Sequence, residues 1–318
     1  DLPRLDYSGG ASCPSLLLEP LRTNLVTQSE YFGGSDWISS SNVTITDNVT
    51  TSPEGVQNAA LINFTSGANY FQNGGGGMVS GSTYTISCYV KRALSTDQVF
   101  KIYGNGNIVS GDFTATSEWQ RFTYTFTAAS TNFSCGLTTP STCQIHLYGF
   151  QVEQASYESS YIPTYGSAVT RSVDVSSVSS MISNGIINDE RFTFMMHLKI
   201  LGRATNPQVY LTDVSGNRIV SLNIQALNKA SFYSPDAASY IGNGTFIGDS
   251  VKIAISYDGN KFVQYINGAK DGTLSVNITS VINRINLNNT ILNAIDVKQV
   301  LVFTTALSDV EAIALTTI

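Results

Sequence analysis

At 318 residues and a formal net charge of −6, the chain has room for two ordinary domains and lacks the basic excess of a nucleic-acid-binding surface. Only 13% of its residues are charged while 42% are hydrophobic, so Ser, Thr, Asn, Gln and Gly must carry the polar surface, which favours strands and turns over helices. No apolar run approaches the ~18 residues that cross a bilayer, and neither a C-x-x-C motif nor a histidine cluster suggests structural zinc. Membrane insertion and nucleic-acid binding are therefore not expected.

In chain order, residues 1–30 read as an extended lead-in, punctuated by Ser8-Gly9-Gly10 and Pro14, with Pro20 interrupting any helix. The first residues show neither the basic nor the apolar region of a signal peptide and no initiator Met, so a fragment or processed product is expected. Short alternating segments follow at 43–49, 59–64, 83–91, 99–104, 120–128 and 144–153, all of which read as strands. In the third, Tyr84, Ile86, Cys88 and Val90 share one face while Thr83, Thr85, Ser87 and Tyr89 share the other. Turn signals lie between the strands, at Ser52 to Gly55, Gly74 to Gly77, Gly104 to Asn107 and Thr139-Pro140.

A second set of strands is expected at 192–200, 208–213, 218–224, 250–258, 261–268 and 297–305. Asp258-Gly259-Asn260 and Asn267-Gly268 are hairpin turns, because these residues tolerate positive φ. Ser308 with Glu311 three residues on makes a capping box for one short terminal helix. The predicted fold class is all-β: two consecutive antiparallel β-sandwiches (jelly rolls) with one short C-terminal helix. The predicted domains are residues 1–168 and 169–318.

Catalytic signals are weak. His146 alternates with Ile145 and Leu147, and His197 sits among Phe194, Met195, Met196 and Leu198, so both read as strand residues. There is no G-x-S-x-G elbow, and no carboxylate pair suited to glycoside hydrolysis stands out; Asp189-Glu190 reads as a turn. Glu153 and Glu158 read as a salt bridge or a calcium contact. No enzyme activity is expected. Cys135 and Cys143 flank a hairpin-like loop; they either form a disulfide or remain small, half-buried thiols, and the spacing allows both. The other two cysteines are Cys13 and Cys88.

Aromatic residues beside amides suit a sugar, whose apolar ring faces stack while its hydroxyls accept and donate hydrogen bonds. Trp37 and Trp119 read as core. The candidate carbohydrate contacts are Tyr70 and Phe71 before the glycine run, Tyr103 with Asn105 and Asn107, and Tyr233 with Tyr240.

Three pieces of wording carry a family resemblance. YGFQVEQASYESSYIPTYGSAVTR (148–171) and PRLDYSGGASCPSLLLEPLRTNLV (3–26) resemble the end and start of carbohydrate-binding-module-like jelly rolls in phage tail-fibre and related virion proteins. SVKIAISYDGNKFVQYINGAKDG (250–272), with the ending from 297, resembles laminin-G/concanavalin-A-like lectin domains. The resemblance implies a tail-fibre or receptor-binding virion protein that engages host cell-surface glycan. It also implies a homotrimer, contacts with other virion proteins and a place on the virion surface. It requires no cofactor and allows a structural calcium, for which no ligands are assigned. Two other readings remain: a purely structural capsid or tail decoration protein, and the binding portion of a larger polysaccharide-degrading enzyme.

Overall fold

The computed structural model describes residues 5–6, 14–67, 69–74, 77–105, 108–181, 184, 186, 191–201, 208–225, 228–278, 282–288 and 295–318. They form two compact units. One, the inserted unit, is Arg22–Arg171; the other, its host, is assembled from Asp1–Leu21 and Ser172–Ile318.

The chain begins in the host with β1 (Leu5–Asp6) and β2 (Ser15–Leu18). The inserted unit contributes β3 (Arg22–Asn24), β4 (Trp37–Ser39), β5 (Val43–Thr50), β6 (Ala59–Phe64), β7 (Tyr70–Asn73), β8 (Thr83–Arg92) and β9 (Gln98–Gly104). It continues with β10 (Ile108–Val109), β11 (Phe113–Ala115), β12 (Gln120–Thr127), β13 (Cys135–Thr138), β14 (Cys143–Glu153) and β15 (Val169–Arg171). The host resumes with β16 (Val175–Val178), β17 (Phe192–Ile200), β18 (Gln208–Thr212), β19 (Arg218–Gln225), β20 (Lys229–Ser234) and β21 (Ser239–Thr245). It ends with β22 (Ser250–Tyr257), β23 (Lys261–Ile266), β24 (Ala269–Ser275), β25 (Arg284–Asn288), β26 (Ile295–Phe303) and the helix α1 (Asp309–Thr316).

In the inserted unit, one sheet runs β12-β8-β14-β6-β5 and the other β10-β9-β13-β7-β4, with β11 also on the β9 edge. Period-2 alternation explains the core. Tyr84, Ile86, Cys88 and Val90 of β8 and Ile145 and Leu147 of β14 meet Phe71, Phe100, Ile102 and Leu137 from the facing sheet. Gly149 breaks the alternation. At φ +63° it forms a bulge that shifts the register between Tyr148 and Gln151, returning Phe150 and Val152 to the core and turning Gln151 and Glu153 outward.

In the host, β1-β2-β26-β17-β22-β23-β24 pack against β16-β25-β18-β19-β20-β21 around Phe192, Phe194, Met196, Leu222, Phe232 and Ile253. The opposite side of β17, β22 and β23 carries Met195, Ala254, Val263 and Tyr265, against which α1 lays Ala312. The Ser308–Glu311 capping box is present at its start. The all-β expectation, with antiparallel sheets and one short terminal helix, therefore holds.

The expected domain limits are corrected. Residues 16–18 do not lead into the first sandwich. Leu16, Leu17 and Leu18 pair with Val297, Asp296 and Ile295 of β26, where Leu18 completes the host core and covers a sheet edge. The inserted unit closes on itself instead, β15 pairing with β3 from Val169–Asn24 to Arg171–Arg22.

Candidate functional site

The stretch 148–171 is tied to the rest of the inserted unit by buried polar contacts. Glu153 is fully buried; it accepts from the Ser159 backbone N–H at 2.9 Å and from Gln151 Nε2 at 2.8 Å, and faces Arg22 Nε at 3.9 Å. Glu30 Oε1 accepts from the hydroxyls of Tyr148, Tyr161 and Tyr165 at 3.4, 3.0 and 3.1 Å. Asn24 Nδ2 donates to the Ile162 carbonyl at 2.9 Å. These contacts fasten the last loop over one end of the β12-β8-β14-β6-β5 sheet. Thr85, Ser87, Gln151 and Glu153 are buried beneath it. The salt-bridge expectation for Glu153 is met by Arg22.

The other end of that sheet is open. Its outward side chains fall in rows across the strands, because register partners lie side by side and alternate residues share a face. Lys91, His146, Leu61 and Thr46 make one row. Gln144, Asn63 and Thr44 make the next toward the free end. Arg121, Tyr89 and Tyr148 make the row toward the covered end. Each residue of the first two rows is half-buried or exposed. Three strand spacings separate Lys91 from Thr46, about 14 Å.

Trp119, just before β12, borders the row. It is half-buried, its Nε1 donates to the Thr51 carbonyl at 3.0 Å, and its ring centroid lies 4.9 Å from Lys91 Nζ. The expectation that Trp119 is core is thus corrected, while Trp37 is core, stacked on Phe71 at 4.4 Å. His146 Nδ1 is buried without a hydrogen-bond partner, as is Asn58 Oδ1 near the Tyr148 end. Burial, then the neighbouring Lys91 charge, holds the His146 pKa below the ordinary histidine value. The imidazole is therefore neutral at pH 7, able to donate from one nitrogen and accept at the other.

The residues singled out in the sequence are placed differently. Tyr70 is 41% exposed at its strand start, but Phe71 is fully buried, because alternation turns it into the core. Tyr103 is half-buried between Val109 and Gly136. Asn105 is fully buried: its Oδ1 accepts from Ser130 N–H at 3.0 Å and its Nδ2 donates to the Asn132 carbonyl, so it fastens two loops and faces no solvent. Asn107 and Cys13 lie outside the described residues, as do Asp189 and Glu190. Tyr233 and Tyr240 do come together as register partners on β20 and β21, rings 5.1 Å apart, with Tyr240 55% exposed.

The disulfide alternative is excluded. Cys135 and Cys143 are free thiols on strands of opposite sheets, both buried, each with its pKa pushed up to about 12 by burial. Among the described residues no three acidic, histidine or cysteine side chains gather as metal ligands would, and no helix is long and apolar enough to cross a membrane. A cleft of about 270 Å³ in the host lies beside the N-terminus of α1. Its charges satisfy one another: Lys270 with Asp309 at 2.9 Å, Lys261 with Asp258 at 3.6 Å, and the Tyr265 hydroxyl donating to Asp309 at 2.7 Å.

The Trp119–Lys91–His146 row was not read as a site from the sequence. Its signal lay in the outward phase of two strands already recognised, together with the Trp just before a third.

The molecule is thus an all-β protein of two antiparallel sandwiches, one inserted in the other, with an open aromatic and polar sheet face on the inserted unit. No family model and no curated protein matches the chain. Among solved structures it is similar to the Ruminococcus gnavus IT-sialidase CBM40 bound to alpha2,3 sialyllactose, at 17% identity and TM-score 0.35, over 43% of this chain and 86% of that one. A CBM22-1 xylan-binding domain from Paenibacillus barcinonensis Xyn10C matches at 14% identity and TM-score 0.32, over 45% and 96%. The tandem CBM22-1-CBM22-2 domain of the same Xyn10C matches at 11% identity and TM-score 0.31, over 94% and 100%.

Proposed function

We propose that this chain is a non-enzymatic glycan-binding component of a phage virion, a tail fibre or receptor-binding module, that engages host-surface glycan through the open face of the inserted unit. The observation that carries the reading is the row Trp119, Lys91, His146, Leu61 and Thr46, flanked by the amides of Gln144 and Asn63. It offers an indole, an aliphatic surface and convergent donors and acceptors on rigid strands, the mixture that sugar recognition needs. Support for the virion setting, for the laminin-G-like character of the host and for trimeric assembly comes from the wording of the sequence. Weak sites repeated on a trimer would gain avidity. A non-catalytic role is supported by the engagement of the nearby carboxylates in holding loops: Glu153 on Ser159, Glu30 on three tyrosines, and Asp47 on the Phe32 and Gly33 N–H groups.

A printed array of acidic and neutral microbial surface glycans, probed with the intact protein, tests the reading. Binding is expected, with the signal reduced at least about tenfold in Trp119→Ala. Full retention in that variant would move the site elsewhere. Absence of binding by the native protein would overturn the glycan reading in favour of a purely structural virion role.

A further inference from the structure

The charge pattern of the same face identifies the class of glycan, an inference that rests on the glycan-binding proposal. The inserted unit holds six basic side chains. Arg22 faces Glu153 at 3.9 Å, Arg92 pairs with Asp97 at 2.6 Å and Lys101 with Asp112 at 3.3 Å. Arg121 donates to the Ser159 carbonyl at 2.7 Å and Arg171 to the Ser160 carbonyl at 3.1 Å. Lys91 is the exception. Among the described residues its contacts are the Thr50 hydroxyl at 3.5 Å, the Trp119 ring and its neighbour His146, with no carboxylate or carbonyl partner.

An ammonium group carries three donors, and one long hydrogen bond leaves most of that capacity directed at whatever occupies the face. Its register partner His146 holds a buried Nδ1 without a hydrogen-bond partner. Beyond His146 the row continues with Leu61 and Thr46, which bring no negative charge to compete. Two of the nearby carboxylates, Glu30 and Glu54, lie around the Tyr148 hydroxyl toward the covered end, while exposed Glu118 adjoins Trp119 in sequence. The row thus carries Lys91, without a carboxylate partner among the described residues, and Glu30 and Glu54 lie toward the covered end.

We infer that the glycan bound here is anionic, with its carboxylate, sulfate or phosphate group held between Lys91 and His146 and the adjoining sugar ring beside Trp119. Charge-assisted hydrogen bonds to such a group are short and strong compared with those to a hydroxyl. The glutamates at the other end repel the anion and so set the direction in which the chain of sugars lies.

Calorimetric titration of the intact protein with matched pairs tests this: trigalacturonate against trigalactose, 3′-sialyllactose against lactose, and sulfated and phosphorylated lactose against lactose. At least one anionic member is expected to bind about tenfold tighter than its neutral parent, the separate arms naming which anion is read. That preference should shrink as ionic strength rises through the range where the Debye length falls below about 8 Å. Lys91→Met should abolish the preference and Lys91→Arg should keep it, both with the native melting temperature. Equal binding of acidic and neutral members by the native protein would overturn the anionic inference while leaving glycan binding intact. So would an undiminished preference in Lys91→Met. Binding of no saccharide, on the array or in the titrations, would overturn both.

Discussion

Arg22 and Arg171 are register partners on β3 and β15, so the residue at which the chain enters the inserted sandwich lies beside the residue at which it leaves. Adjacent ends are the geometry in which one domain can interrupt another without disturbing the host's pairing. Residues 22–171 expressed alone are accordingly expected to unfold in a single cooperative denaturant transition with native near-ultraviolet dichroism. Removing residues 1–21 should lower the stability of the host transition and leave that of the inserted unit unchanged. A non-cooperative 22–171 fragment would count against the division.

Glu153 ties the last loop of the inserted unit to its sheet. Replacing it by Ala strips Ser159 N–H of its acceptor and removes the carboxylate that Gln151 Nε2 and the 4%-exposed Arg22 face. Removing one partner of such a buried set costs about 3–5 kcal/mol. Urea titration of Glu153→Ala should show a loss of that order in the inserted unit, and a loss below about 1 kcal/mol would indicate that the loop repacks without it.

Phe71 and Trp119 separate stability from recognition. Phe71→Ala removes a fully buried ring stacked on Trp37 and should cost about 3–5 kcal/mol. In Trp119→Ala, by contrast, a half-buried ring at the sheet margin is lost, so stability should change far less while glycan binding falls. Comparing melting temperature with array signal for the two variants decides it.

The host should be stabler in mild acid than in mild base. The Asp296 carboxyl is raised to about 7, first by burial and then by the hydrogen bond and charge of Asp6, against the opposing pull of Lys199 and Lys298. The folded state therefore keeps a proton that the unfolded chain releases near pH 4. Its contribution is complete below that value and is lost as pH rises from about 4 to about 7. Asp296→Asn should flatten this part of the thermal-melting profile and raise stability at pH 8. An unchanged profile would show that the pair does not share a proton.

Cys88, Cys135 and Cys143 should resist alkylation. Burial pushes each thiol up to about 12, so almost no thiolate exists at pH 8 and the sulfur is out of reach as well. Ellman titration at pH 8 should leave these three unreacted in the native protein and expose them all in 6 M guanidinium. Rapid native reaction of more than one thiol per chain would contradict the described core.

Most of the architecture was legible because it is local. The strands at 59–64 and 192–200 coincide with β6 and β17, and Ser308 with Glu311 marks the helix, since alternation and capping are written into neighbouring residues. Short strands such as β13 and β25 escaped, four or five residues being too few to show a period. Two of the sugar-contact candidates, Phe71 and Asn105, are buried for a related reason. Phe71 and Asn105 sit beside turn signals, but their directions depend on which side of a strand or turn faces the second sheet.

The sequence by itself determined that the chain is all-β, where its long strands alternate and where its C-terminal helix is capped, because those properties depend on residues within a few positions of one another. Tertiary structure alone decided that Leu16 to Leu18 belong with β26 nearly 280 residues away, that Cys135 and Cys143 stand on opposite sheets, and that Lys91, His146 and Trp119 meet on one open face. Those relationships are set by strand order and register between distant segments, and no local pattern of side chains encodes them.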